Sequence, residues 1–324
     1  MQNLCRVSLE NKNPFGGLPV VLVGDFLQLP PVVPEDDLKI LNHRRYEVCH
    51  AFGAKCLAGV PVKWIELNTV YRQKDIDFIE LLGKVRSGAD LQLAVEFLNR
   101  RCHRPHRTSA KPILLTSRIA DAEDHNRIGL SSLHGPVRTY TGIIKYNFRI
   151  TKDKLPAPEK LSLKINARVM FVKNDSGKRW VNGSLGTVTR LSKSEVWVRL
   201  DCESKEHEVH PTEWESIEYQ YDPFTERVKA VVVGTYTQIP LVHAWAMTIH
   251  KAQGLTLEDV RIDLGAGAFS TGQTYVALSR ATTLEGLSFH QPLKLSDVKA
   301  DHLIVEALKR MTGAADQGRS ELTQ

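Results

Sequence analysis

Two kinds of apolar pattern run along this chain. Residues 18–23, LPVVLV, form a continuous Val-rich run without period-two alternation. That predicts a strand buried on both faces, as in a parallel sheet. The loop GDFLQLPPV follows at its carboxyl end, where open α/β sheets place their chemistry. Residues 38–58 predict a helix between loops, and VKWIELN at 62–68 a second strand. Over 75–88, Ile76, Ile79, Leu82 and Val85 recur every three to four places, an amphipathic helix that Gly88 can stop. A further helix is predicted at 91–102, a strand at 112–118 and a helix at 120–133. From 161 to 215 the character changes to short strands separated by Asp, Asn, Gly and Ser turns, too close for βαβ crossovers. Residues 219–241 lead back to a helix at 242–254, a buried strand at 260–265, a helix at 271–282, a last strand at 284–290 and a helix at 294–311. The final residues, 313–324, have the composition of a disordered tail.

The 324 residues suffice for two domains and a sizeable core. The formal charge of +6 permits a nucleic-acid partner without demanding one. The five cysteines, Cys5, Cys49, Cys56, Cys102 and Cys202, are odd in number and never two apart, which argues against a disulfide framework and fits a reducing compartment. Cys49, His50, Cys56, Cys102, His103 and His106 fall in separate segments without metal-ligand spacing, so no metal site is expected. No apolar run is long enough for a membrane span, and MQNLCRVSLENKN is no signal peptide. The expected location is the cytoplasm, with the nucleoid in a prokaryote and the nucleus left open.

Several constellations carry chemistry. Asp25 ends the first predicted strand and Gln28 follows in its loop, where a neutral amide can orient water or touch a terminal phosphate; Gly24-Asp25 also reads simply as a tight turn. Arg72, in YRQ, precedes a helix, and Arg280, in LSRA, lies within one; arginines of this kind neutralise developing charge in phosphoryl transfer. In TIHKAQG, Thr248 and Lys251, and His250 and Gln253, stand three apart and make two polar stripes on a helix. One side suits DNA phosphates (Thr248, His250, Lys251), the other a nucleotide (Gln253, Gly254). Thr116, Ser117, Arg118 and Asn126 follow a strand end and can hold a phosphate backbone or merely cap a segment. Lys173 and Trp180 can meet single-stranded DNA by charge and stacking. Asn182-Gly183 is also a strong hairpin turn, and Trp180, Trp197 and Trp214 serve equally as core. The basic run Arg100–Lys111 reads as a linker or a phosphate contact.

Taken in order, GDFLQLPPV, NTVYRQ, LLTSR with Asn126, NARVMFVKN with WVNGSLGTV, TIHKAQGLT and GQTYVALSRAT resemble the motifs of the Pif1/RecD-like helicases of superfamily 1, over roughly residues 14–290 and, by this reading, in the C-terminal part of that family only. The resemblance implies an α/β, RecA-like P-loop helicase fold: a partial first domain, then a complete second domain with a small SH3-like β-barrel inserted. The implied division is a first-domain remnant at 1–68, a helical and basic linker at 69–111, the second domain at 112–150 and 236–292, the insert at 151–235, and a C-terminal helix and tail at 293–324. It further implies 5′-to-3′ DNA unwinding driven by ATP with Mg²⁺, single-stranded DNA as partner, and Gln28, Arg72, Gln253, Gly254, Gln273 and Arg280 near the nucleotide. Tyr275 is expected to pack. No Gly-x-x-x-x-Gly-Lys-Ser/Thr loop and no Asp-Glu pair precedes GDFLQLPP. The expectation is therefore a chain unable to hydrolyse ATP alone: a gene fragment, one subunit of a split enzyme completed by another chain, or a non-catalytic DNA-binding module. No Asp/Glu/His cluster in the sequence supports the rival reading, a nuclease.

Overall fold

The computed structural model describes residues 5–6, 9–44, 46, 50–102, 112–148, 155–222 and 227–320. In chain order the helices are α1 (Glu35–His43), α2 (Ile76–Ser87), α3 (Leu91–Cys102), α4 (Ile119–Ser131), α5 (Ile249–Ala252), α6 (Gln273–Leu278) and α7 (His302–Ser320). The strands are β1 (Ile113–Thr116), β2 (Arg138–Thr141), β3 (Ile143–Tyr146), β4 (Lys160–Leu163), β5 (Arg168–Phe171), β6 (Leu185–Leu191), β7 (Val196–Leu200), β8 (Glu206–Val209), β9 (Thr212–Asp222), β10 (Arg227–Gln238), β11 (Leu241–His243), β12 (Ala246–Thr248), β13 (Val260–Asp263) and β14 (Leu287–Phe289). They fall into two compact units, residues 1–111 with 249–324, and residues 112–248. No described helix is long and apolar enough to cross a membrane.

In the first unit, α2 starts on Asp75, whose carboxylate accepts from the backbone N–H groups of Asp77 and Phe78, and stops on left-handed Gly88. Its buried stripe is Phe78, Leu81, Leu82 and Val85. Ile76, placed on that stripe by spacing alone, is exposed. Helix α2 packs on α3 and α6, and α3 packs on β14. Strands β13 and β14 pair in parallel, Val260 with Leu287 and Ile262 with Phe289. Residues 18–23 and 62–68, the two strands expected first, are not strands. Val21 is 85% exposed, Val23 90% and Leu67 87%. Apolar runs become central strands only when neighbours accept their backbone hydrogen bonds and cover both faces, and neither segment belongs to a described sheet. The helix expected over 38–58 is confined to α1, followed by short 3₁₀ turns at Ala51–Gly53 and Lys55–Leu57. Helix α7 runs to Ser320, into the stretch expected as a tail.

In the second unit, β1 and β12 pair in parallel, with Thr116 beside Thr248, and α4 packs over both. The helix expected at 242–254 is therefore mostly wrong: β11 and β12 take its first half and only the single turn α5 is helical. The hairpin series forms a five-stranded antiparallel sheet, β11-β5-β6-β7-β8, and a second pairing of β2 with β4. Alternate residues Val169, Phe171, Val188, Val196, Val198 and Leu241 fill one core, on which Trp180 also packs. The long strands β9 and β10, joined to β3, make a three-stranded antiparallel sheet that the sequence reading passed over as a return segment.

One ion pair in this unit sets a pH response. Asp175 accepts from the backbone N–H, Nε and Nη2 of Arg179 at 3.1, 2.8 and 2.7 Å, and those bonds hold its carboxyl down to about 2. A depressed carboxylate adds stability that is full above its unfolded value, 3.8, and disappears as pH falls towards 2. Arg179 is partly exposed and the pair is screened by solvent, so urea denaturation of Asp175→Asn should show a loss of about 1 kcal/mol at neutral pH and a correspondingly shallower decline in acid.

Candidate phosphate site

The nucleotide-side residues predicted from sequence converge in the first unit. Helix α6 is preceded by Gly272, in left-handed backbone at φ 71°, where a Cβ would lie 2.4 Å from the Gln28 carbonyl oxygen. Glycine thus lets the GQTYVALSRA segment close on the loop after residue 23. Arg280 follows α6 and is 2% exposed. Its Nε donates to the Val276 carbonyl at 2.9 Å, Nη1 to the Leu255 carbonyl at 3.3 Å and Nη2 to the Ser279 hydroxyl at 2.7 Å. All three partners are neutral. Burial first, and then the like charge of Arg72, pull Arg280 down to about 10, so it remains a cation at neutral pH.

Arg72 donates to the Thr256 hydroxyl and the Ser279 carbonyl, each at 3.0 Å. Burial lowers its pKa, against a favourable effect from Tyr275. Gln73, not singled out by sequence, is buried and donates to the carbonyls of Ser279 at 3.2 Å and Ala281 at 2.7 Å. The YRQ segment thus grips the backbone on either side of Arg280. Tyr275 packs, as expected, under the guanidinium of Arg86 at 5.9 Å, and burial raises its pKa.

Both oxygens of Asp25 accept hydrogen bonds. Its Oδ1 accepts from the Leu27 N–H at 3.1 Å and Arg86 Nη2 at 3.0 Å, and its Oδ2 from Gln28 Nε2 at 3.1 Å. Through these bonds the carboxylate of Asp25, which the sequence marked as a catalytic candidate, shapes the loop. Gln28 Oε1 accepts from Gln253 Nε2 at 3.0 Å, and Gly254 beside it is left-handed at φ 88°. Gln273, 0% exposed, accepts from the Phe269 N–H, and its Nε2 has no acceptor. Arg86 Nε is likewise a buried donor without an acceptor. The cluster therefore holds three arginines, one committed carboxylate and unsatisfied donors, which suits a phosphate.

The DNA-side residues are dispersed. Thr116, Ser117 and Thr248 are buried and Arg118 exposed in the second unit; Lys251 is exposed and His250 half-buried in the first, where His250 stacks on Phe269. Asn126 is tied to the protein backbone. Its Nδ2 donates to the Ala246 carbonyl at 2.8 Å, and its Oδ1 accepts from the N–H groups of Trp245 and Ala246 at 3.1 and 2.9 Å. Trp180 is 6% exposed and stacks on Phe171, so it is core rather than a platform. Lys173 donates to the Glu213 carbonyl beside the Trp214 ring. Asn182 takes the turn reading, its N–H donating to Asn174 Oδ1 at 2.7 Å. Cys49, His103, His106 and most of Arg100–Lys111 lie outside the described residues.

Comparison with known proteins fits this arrangement. The family model described as PIF1-like helicase matches residues 2–92, and a herpesvirus family model described as Helicase matches 223–313. The solved structure of Bacteroides Pif1 bound to ssDNA aligns at 31% identity with a TM-score of 0.73, over 95% of this chain and 70% of that one. The chain belongs to the Pif1 helicase family. The Bacteroides Pif1 complex with ADP-AlF3 and ssDNA aligns at 29% identity and a TM-score of 0.73. The ATP-dependent DNA helicase Pif1 of Bdellovibrio bacteriovorus is 32% identical over 88% of this chain and 60% of its own length. Rat PIF1 is 34% identical over 89% of this chain and 43% of its own. The RecA-like α/β fold of Pif1 helicases follows from the structural matches. These findings correct the sequence reading, which limited the likeness to a C-terminal fragment over 14–290: the PIF1-like match begins at residue 2, and the Pif1 relatives cover 88–99% of this chain.

The Asn126 geometry makes a prediction. Asn126→Ala should destabilise the chain by about 2 kcal/mol in urea denaturation, because the backbone N–H groups of Trp245 and Ala246 lose their acceptor. The folded variant should bind single-stranded DNA with unchanged affinity in fluorescence anisotropy.

Proposed function

We propose that this chain binds the terminal phosphate of ATP with Arg72, Arg280, Gln273 and Gln28, and binds single-stranded DNA, as part of a 5′-to-3′ Pif1-type DNA helicase. The observation that carries this reading is Arg280: a buried cation whose hydrogen-bond partners among the described residues are all neutral, and on which burial and the repulsion of Arg72 outweigh the pull of Tyr275 and Asp25. A phosphate oxygen supplies the missing counter-charge and relieves both arginines. The Bacteroides Pif1 structures with ADP-AlF3 and with ssDNA support the ligand pair. ATP brings the γ-phosphate whose transfer to water drives the motor; the residues here orient it and neutralise its charge.

Arg118, His250 and Lys251 are the DNA contacts we infer, with Thr116, Ser117 and Thr248 shaping the backbone near them. Lys173 belongs to the same proposal, just past β5 in the sheet that we read as the SH3-like insert. In domain terms, residues 1–68 belong to the first RecA-like domain and residues 112–150 with 236–292 to the second. The sequence contains no Gly-x-x-x-x-Gly-Lys-Ser/Thr loop, so the 324 residues alone are inferred to bind nucleotide without turning it over.

Fluorescent ATPγS titration tests the site. Arg280→Ala or Arg72→Ala should weaken nucleotide binding about tenfold or more, with DNA affinity kept within about threefold, since phosphate and DNA contacts are separate residues. Nucleotide affinity equal to wild type in Arg280→Ala overturns the assignment. Steady ATP hydrolysis by the purified chain overturns the inference that it binds without turnover.

A further inference from the structure

The proposed phosphate residues are joined to a polar chain that begins on helix α2. Arg86 Nη2 donates to Asp25 Oδ1 at 3.0 Å. Asp25 Oδ2 accepts from Gln28 Nε2 at 3.1 Å, and Gln28 Oε1 accepts from Gln253 Nε2 at 3.0 Å. The direction of each amide is fixed by chemistry. An ionised carboxylate only accepts, so Gln28 must turn its NH₂ to Asp25 and its oxygen to Gln253. Gln253 lies in the turn after α5, where its N–H donates to the His250 carbonyl at 3.2 Å. Gln28 thus has both ends of its amide engaged, and its second N–H faces an incoming phosphate only in the orientation that Asp25 and Gln253 set.

We propose that Arg86 is a positioning residue: through Asp25 it fixes which way the Gln28 amide faces, and so links phosphate occupancy to Gln253 and the His250–Gly254 turn. The proposal rests on reading the arginine cluster as a phosphate site. Three observations place Arg86 in that role. Its guanidinium lies over Tyr275, the ring that Arg72 and Arg280 also sense. Its charge meets the carboxylate that sets Gln28. Its Nε is buried without an acceptor, so it has a donor to offer an incoming anion. A phosphate that draws on Arg86 weakens its hold on Asp25, Asp25 relaxes its hold on Gln28, and the Gln28–Gln253 bond changes with it.

The test follows the side-chain amide of Gln28 in the full chain labelled with ¹⁵N-glutamine, its signal assigned by its loss in Gln28→Ala. Wild type should show slowed hydrogen exchange at this amide. Arg86→Met should raise that exchange about tenfold, the loss of one charge-assisted bond. This readout needs neither nucleotide nor DNA, so it decides the hold of Arg86 on Gln28 even if the phosphate assignment fails. The second readout is the factor by which ATPγS changes single-stranded DNA affinity. In Arg86→Met that factor should fall towards one, while nucleotide-free DNA affinity stays within about threefold, a pattern that simple loss of stability does not give. Equal Gln28 exchange in wild type and Arg86→Met overturns the proposal, as does an unchanged coupling factor. If Arg86→Met does not fold, Asp25→Asn breaks the same link from the other side, and unchanged Gln28 exchange there overturns it equally.

Discussion

A buried guanidinium that no carboxylate among the described residues bonds organises the first unit. Taking Arg280 out of water costs several kcal/mol that no ion pair among the described residues offsets, and its three nitrogens reach only two carbonyls and a hydroxyl. The surrounding sequence exists in a form that makes this tolerable. Gln73 and Arg72 hold the carbonyls of Ser279 and Ala281, Gly272 admits the Gln28 loop, and the apolar side chains Val276, Ala277 and Leu278 fix α6 beneath. Stability is spent at this point to keep a cation dry and aimed, the arrangement in which electrostatic stabilisation of a phosphate is strongest.

The second unit solves a different problem. Its sheets are held by alternating apolar side chains, and its polar residues near the strand ends mostly serve the protein itself. Asn126 fastens α4 to the backbone at Trp245 and Ala246. A Cβ on Gly129 would lie 2.5 Å from the Trp245 ring, so glycine alone lets that ring seat there. Asparagine near a strand end looks the same in sequence whether it clamps backbone or meets DNA; only the geometry separates the two.

Much of the fold was legible because local signals sufficed. Asp75 and Gly88 bounded α2, and the Asp/Asn/Gly turns marked the short strands. The failures share one cause, dependence on distant partners. The Val-rich run at 18–23 reads as a strand, yet strand formation needs neighbours, and here it lies exposed. The segment at 242–254 has helical spacing, but pairing of β12 with β1 overrides it. At the candidate site, Arg72, Arg280, Gln28 and Gln253 were singled out through ordered motifs. Gln73 had only its adjacency to Arg72 as a signal, and Arg86, near the end of an amphipathic helix, had none that distinguished it from a solvent-facing arginine.

The claim that this buried cationic cluster awaits a phosphate is tested most directly by melting the wild-type chain with ATPγS and, separately, with adenosine at equal concentration. Ligands that bind only the folded state raise the melting temperature in a saturable way. The account predicts such a rise with ATPγS and little or none with adenosine, because the recognised groups are phosphate oxygens. Equal shifts with both, or no shift with ATPγS at saturating concentration, would contradict it.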